Sequence, residues 1–289
     1  MRSSLREPEL RALVDAALGL ARRVPSGRIA LARAAEVFPF IKADTEYEPL
    51  DALTVERAAR VLDDFDPEPL AVRAAAQTHR GIADGVPVAI RIRRPGLDRQ
   101  ARTDLALVDA LAIPLGAAFP QLDAGALLRS VREQLLDELD FEHEASMHRR
   151  VARVLRDVDG LVVPAVHTEL CSEGVFVAEL LDGRTVRDGA RPKAAARVLV
   201  GAHLAAARAG IALLDARPGH VVELADGRIG LLGVGVARPV DRARAIPALD
   251  AYPSALELLT RGQVKLEAAQ DVWLARSAAH LAATVAASS

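Results

Sequence analysis

The chain has 289 residues, 51% hydrophobic and 26% charged, enough apolar mass for one large domain or two lobes and too much for general disorder. Its 37 basic and 39 acidic side chains leave a formal charge of -2, which excludes a chain-wide basic field for coating nucleic acid. Aromatics at 3% are too few for a base-stacking single-strand binder, and the single cysteine, Cys171, excludes an internal disulfide or a cysteine zinc cluster.

Met1 to Arg11 mixes charged and apolar residues and lacks the continuous apolar run of a signal peptide. Ala110 to Leu122, broken by Pro114 and Pro120, and Ser277 to Ser289 fall short of the ~18–20 apolar residues a spanning helix needs. A soluble, cytoplasmic protein without a transmembrane segment is expected. Peripheral membrane contact stays open.

Residues 5–37 read as mostly helical, with Leu10, Leu13, Val14, Ala17 and Leu20 at helical spacing and a break at Pro25-Ser26-Gly27. A second helix is predicted over Leu53 to Leu62. A strand-like region follows, from Pro69 through the alanine-rich Ala74-Ala75-Ala76 and on to Gln77 and Ile82. After a turn at Asp84-Gly85, Val88, Ile90 and Ile92 alternate with Ala89, Arg91 and Arg93, the period-two signature of a half-buried strand.

A long helix is predicted from about Ala126 to Arg156, with Leu128, Val131, Leu135 and Leu139 as its apolar stripe. Short strands are predicted over Leu161 to Val166 and Val175 to Leu181. A helix over Lys193 to Ala209 stops at Gly210, a suitable residue just past a helix end. Val221 to Leu224 and Arg228 to Leu232 flank Ala-Asp-Gly, a hairpin signal. From Asp241 onward the chain reads as helical. Two lobes follow from this order, with a hinge near Leu181 to Gly183.

Four segments carry a family resemblance. Val88-Ala-Ile-Arg-Ile-Arg-Arg-Pro-Gly96 resembles the third N-lobe strand, V-A-V-K-V-x-R-P-G, of the UbiB/AarF/ADCK atypical kinases. Asp137-Glu-Leu-Asp-Phe-Glu-His-Glu-Ala145 resembles their E-L-D-Y-x-x-E-A helix. Gly210-Ile-Ala-Leu-Leu-Asp-Ala-Arg-Pro-Gly-His220 is similar to the G-x-x-H-A-D-P-H-P-G-N catalytic loop. Asp226-Gly-Arg-Ile-Gly-Leu-Leu-Gly-Val-Gly235 is similar to D-G-R-I-G-L-L-D-F-G. Weaker echoes are Phe40-Ile-Lys42, at the K-x-G-Q element, and Ala71 to His79, at the alanine-rich loop.

The resemblance covers residues 38–240 and implies an α+β, bilobal protein-kinase-like fold. Its parts would be an N-terminal helical extension (1–64), an N-lobe sheet with one long helix (65–182), and a helical C-lobe (183–289), truncated and without a membrane anchor.

Several residues depart from the family pattern. Kinase-type phosphoryl transfer needs a strand lysine on the phosphates, an aspartate and an asparagine on Mg²⁺, and an aspartate near the acceptor. Arg91 stands at the lysine position, and its planar fork is not an equivalent of an ammonium. His220 replaces the loop asparagine, a poor ligand for an oxygen-seeking ion. Gly233 replaces the metal-binding aspartate. Asp44 and Thr45 replace the glycine and glutamine of K-x-G-Q, and Leu213 replaces the loop histidine.

What survives of the pattern is Asp215, Glu144, Glu138, Asp140, Gln77 and Lys42; Asp215 would be a vestigial catalytic aspartate, and the others together with Arg91 are the nucleotide-binding candidates. Glu144 with Arg91 and Glu138 with Lys42 are the pairs the resemblance implies. Asp140 and Glu144, four apart, are expected to share one helix face. No metal site is expected. Each candidate also has an ordinary structural reading: Arg91 as an ion-pair partner, Asp215 as a loop carboxylate.

The local run Arg91, Arg93, Arg94, Arg99 and Arg102 against Asp98 can be read as a phosphate-binding patch or as a strand edge with a solvated loop. His143, His148, His167, His203 and His220 show no metal-ligand spacing, and Cys171 has no basic neighbour to activate it.

The expectation is a pseudokinase acting as a binding or regulatory module, with a protein or lipid partner and no nucleic acid. No cofactor is required, and any ATP binding would be weak and without strong Mg²⁺ dependence. Family analogy adds a link to isoprenoid-quinone (ubiquinone) or other lipid metabolism. Two alternatives stand beside it: an active kinase or ATPase with Asp215 plus Glu223 or Asp226 as metal ligands, and a pure scaffold.

Overall fold

A computed structural model describes residues 19, 22–29, 31, 46–109, 132, 136, 139–185, 192–213 and 218–239. The chain forms two compact units, Met1–Glu142 with Leu170–Val177, and His143–Glu169 with Ala178–Ser289. The polypeptide thus passes between them three times, the last time a few residues before Leu181 to Gly183.

In the first unit, α1 (Ala52–Ala59) starts because Asp51 caps it, accepting from the Thr54 amide at 2.9 Å and the Thr54 hydroxyl at 2.6 Å. A meander follows of β1 (Asp64–Val72), β2 (Ala76–Ala83) and β3 (Val86–Arg93), each antiparallel to the last. The alternation in β3 is as its sequence predicts: Val88, Ile90 and Ile92 are buried, Ala89, Arg91 and Arg93 half-buried. The β2–β3 turn uses Asp84 (φ 49) and Gly85 (φ 74), both left-handed, where glycine and aspartate are favoured. With β5 (Val175–Glu179), the strands form a four-stranded sheet in the order β1-β2-β3-β5. Val55 of α1 packs on Val88, Ile90, Ile92 and Val177.

Residues after Arg94, expected as a solvated loop, instead form α2 (Leu97–Asp109). Leu97, Ala101 and Leu105 recur every four residues and bury one stripe, which outweighs the charged Arg99 and Arg102 on the outer side. Ile29 joins that cluster. Pro25-Ser26-Gly27, expected as a break, lies in a helical segment over 25–29 whose first turn is capped by a distant carboxylate. Asp104 accepts from the Ser26 amide at 3.1 Å and from its hydroxyl at 2.8 Å. Proline suits the start of a helix, where its missing N–H costs nothing.

The long helix expected from about Ala126 to Arg156 is interrupted: α3 begins at Phe141 and ends at Leu155. Leu139 forms a turn, its amide reaching Leu136 O, and Asp140 is the residue before the first helical position. Aspartate is favoured at a helix entrance, and Leu139 and Phe141 are both buried, so the chain bends to seat two large apolar groups.

The second unit is organised by α4 (Pro192–Arg208). Ala195, Leu199, Ala202 and Ala206 make a fully buried stripe against Val151 and Leu155. Each buried leucine is worth about 1.5–3 kcal/mol relative to exposure. Gly210, with φ 77, takes the left-handed conformation expected just past the helix.

A second sheet has the order β4-β9-β8-β6, from β4 (Leu161–Val162), β6 (Gly183–Thr185), β8 (Val221–Leu224) and β9 (Ile229–Leu231). The β8–β9 hairpin closes through Gly227 (φ 83) as its sequence predicts. β7 (Ile211–Leu213) pairs antiparallel with β10 (Ala237–Pro239). The architecture is α+β. Among the described residues no helix is long and apolar enough to cross a membrane. The segment after Asp241, expected as helical, lies outside the described residues.

Candidate functional site

In the first unit, Arg91 stands on β3 opposite Thr78 of β2. Its guanidinium carbon lies 4.3 Å from the centre of the Phe141 ring and 4.8 Å from that of Phe176. The two rings meet edge-to-face, 6.4 Å apart at 76°. Two rings around one cation contribute about 0.5–2 kcal/mol each, more as water is excluded. Neither phenylalanine was a candidate from sequence. Phe141 sits inside the E-L-D-F segment, but only tertiary packing brings Phe176 from β5 to the same arginine.

Gln77 is buried, and both ends of its amide are engaged. Its Oε1 accepts from the Leu50 amide at 2.7 Å, and its Nε2 lies 2.8 Å from His79 Nε2. His79 Nδ1 lies 2.9 Å from the Asp66 carbonyl. The Leu50 N–H fixes the orientation of the amide, so His79 accepts at Nε2 and donates at Nδ1. This chain of bonds joins the entrance of α1, β2 and β1.

Asp140, half-buried, precedes α3 rather than sharing a helix face with Glu144, which corrects the expected pairing of their faces. Lys42 and Glu138 lie outside the described residues.

The basic run along β3 is already committed to protein groups. Arg93 donates to Leu139 O and to Glu173 at 3.2 Å. Arg94 donates through Nε to Arg73 O at 3.0 Å and through Nη2 to Glu48 O at 2.7 Å. Burial first, then the Arg28 charge, pulls the Arg94 guanidinium below its ordinary pKa. Arg99 and Arg102 are exposed on α2.

In the second unit, the buried Glu144 on α3 lies against Gly235: a Cβ there would stand 2.5 Å from Glu144 Cγ and 2.5 Å from its carbonyl oxygen. Gly233, two residues earlier, has φ 69, in the left-handed region. The Leu232 amide donates to the His220 carbonyl at 2.8 Å, which sets His220 beside the Gly233 segment. Leu213 is buried in β7 within the main apolar cluster. Asp215 lies outside the described residues, between β7 and the short 3-10 turn Pro218–His220.

Asp226 closes its own turn: it accepts from the Arg228 amide at 2.9 Å and from Arg228 Nε at 2.6 Å. Those bonds, the backbone one first, hold its carboxyl below the usual carboxylate range. Glu223 lines an open groove with Asp182, Arg184 and Asp226. Among the described residues no three His, Cys, Asp or Glu side chains gather as metal ligands. Mg²⁺ seeks oxygen in octahedral array, and neither Gly233 nor His220 offers a carboxylate or amide oxygen from its side chain. The described residues at these positions do not fit that ion.

A family model described as the ABC1 atypical kinase-like domain matches residues 38–245, well over half of the chain. The chain belongs to the ABC1 atypical kinase-like family. Among curated relatives, it is 33% identical over 127 residues to AarF domain-containing protein kinase 1 of Mus musculus, covering 44% of this chain and 24% of that protein. It is 34% identical over 131 residues to the probable protein kinase UbiB of Vibrio cholerae, again covering 44% and 24%. The matched stretch therefore spans about a quarter of these relatives' length.

The fold of this ABC1-family chain is also like that of Rv3197 from Mycobacterium tuberculosis, solved as a complex with erythromycin. That likeness has a TM-score of 0.58 and 23% identity, over 88% of this chain and 73% of the other. The kinase-like α+β fold implied by the sequence motifs is thereby found.

Proposed function

We propose that this ABC1-family chain is a catalytically impaired kinase-like module. It would bind a nucleotide weakly and without a divalent ion, and act through a protein or lipid partner. The observation that carries the reading is Gly233. At the position of the metal-binding aspartate the chain has no side chain, and the backbone has turned left-handed, a conformation costing an L-residue about 1–2 kcal/mol.

His220, tied to Leu232 through its carbonyl, stands at the second metal position. Losing one preorganised electrostatic group of an active site costs about 3–4 kcal/mol of transition-state stabilisation, as for an oxyanion-hole donor. Two lost together leave negligible turnover.

The residues proposed for nucleotide contact are Arg91, Asp140, Lys42, Glu138 and Glu144, with Gln77, its amide engaged by Leu50 and His79, supporting them from within β2 and Asp215 as the remnant of the catalytic loop. The parts are an extension over residues 1–64, an N-lobe over 65–182 and a C-lobe over 183–289. A link to isoprenoid-quinone or other lipid metabolism rests on family analogy alone. The competing reading, a rearranged metal site using Asp226, has against it that both Asp226 oxygens already hold Arg228.

Thermal melts with Mg²⁺-ATP, with ATP plus chelator, and with buffer test the proposal. Equal stabilisation by ATP with and without Mg²⁺ is the expected result. Stabilisation only with Mg²⁺ contradicts it, and stabilisation by neither favours a scaffold that binds no nucleotide.

A further inference from the structure

We infer that Arg94 is a positioning residue that locks the Arg73–Ala75 turn between β1 and β2 and couples it to the segment entering α1. Three bonds converge on this one residue. Its amide donates to Ala75 O at 3.0 Å, its Nε to Arg73 O at 3.0 Å and its Nη2 to Glu48 O at 2.7 Å. The turn is closed on itself by the Arg73 amide, which reaches Ala76 O at 2.9 Å. Ala74 and Ala75 pack on the cluster of Ile29, Leu97, Ala101, Leu105 and Leu139.

The neighbouring arginines cannot take over. Arg93 is engaged with Leu139 and Glu173, and Arg91 lies against two rings. A lysine cannot replace Arg94 either. Two carbonyls from segments 25 residues apart in sequence are met by two separate nitrogens of one rigid fork, and an ammonium presents a single point.

In kinase-type folds the loop joining the first two strands of the lysine-bearing sheet covers the phosphates, and the Arg73–Ala75 turn joins β1 and β2 here. For that consequence alone the inference rests on the nucleotide-binding reading above. Arg94 then sets how the turn meets a phosphate, and residues 46–50 share in it through Glu48.

The test uses the full chain as wild type, Arg94→Lys and Arg94→Ala. Hydrogen exchange is followed in the peptides covering residues 46–50 and 73–76, alongside titration with a fluorescent trinitrophenyl-ATP. Both variants are expected to speed exchange in both peptides by roughly tenfold or more, the value of a lost charged hydrogen bond. Both are also expected to weaken trinitrophenyl-ATP binding roughly tenfold.

Wild-type exchange in Arg94→Lys overturns the lock, because one charge would then suffice. Faster exchange at the turn alone, with residues 46–50 unchanged, overturns the coupling. If the wild type does not bind the nucleotide, the nucleotide reading fails, and exchange alone still decides the lock.

Discussion

Gly235 rests directly on the main chain of Glu144, with no room for a methyl group between them. The contact joins the segment after β9 to the first turn of α3. Because one obstacle is a carbonyl oxygen, the backbone itself must move to admit a side chain. Gly235→Ala is expected to destabilise the protein by about 1–3 kcal/mol, as overpacking does. Chemical denaturation measures it, and a change within about 0.5 kcal/mol would contradict the packing.

The ring pair around Arg91 makes a second prediction. A double-mutant cycle of Arg91→Met and Phe176→Leu keeps volume and removes the cation and one ring. A coupling energy of about 0.5–2 kcal/mol is expected from urea unfolding of the four proteins. Additive losses would mean that the distance of 4.8 Å carries no energy.

Gln77 supports a third. Gln77→Leu leaves the Leu50 amide without its acceptor and His79 Nε2 facing a methyl group, at about 1–3 kcal/mol for each buried group left unmet. Gln77→Glu keeps an oxygen for Leu50 and should protect that amide from exchange better than leucine does. Equal exchange of the Leu50 amide in both variants would show that the bond is not formed.

Acid sensitivity gives a fourth, with its sign set by the direction of the shifts. Asp51 is held below the ordinary carboxylate range, first by the Thr54 hydroxyl and then by the Thr54 amide. A carboxyl depressed in the folded state adds stability above the unfolded group's pKa, and that stability is lost as pH falls through the folded value. Stability should therefore fall with acid below about pH 4. Asp51→Asn, which keeps the cap without the charge, should lose less over that range. An identical acid slope in the variant would contradict the assignment.

The same residues show what the sequence makes legible. Alternation in β3, the Asp-Gly hairpin and Gly210 are local signals, so each could be read directly. The three-residue strands β6, β7 and β10 carry too few residues to show a period and exist only through their partners. α2 was hidden by its arginines, because its apolar stripe of Leu97, Ala101 and Leu105 is narrow. The break before α3 was hidden because the helical spacing of Leu135 and Leu139 in the sequence runs right up to it. At the candidate site, Arg91 on β3 and Gly233 just after β9 fall in elements that local patterns make legible. The rings around Arg91 and the contacts of Arg94 depend on residues distant in sequence, which no spacing announces.

The proposed impairment rests on the loss of the groups that would hold a divalent ion on a nucleotide in this ABC1-family scaffold. Its most direct test is the dissociation constant of ATP measured calorimetrically with excess Mg²⁺ and with excess chelator, for the wild type and for Gly233→Asp/His220→Asn. Equal wild-type affinity is expected in both conditions, with a Mg²⁺ requirement emerging only in the double variant. Wild-type affinity that rises tenfold or more with Mg²⁺, a gain of about 1.4 kcal/mol, would contradict it.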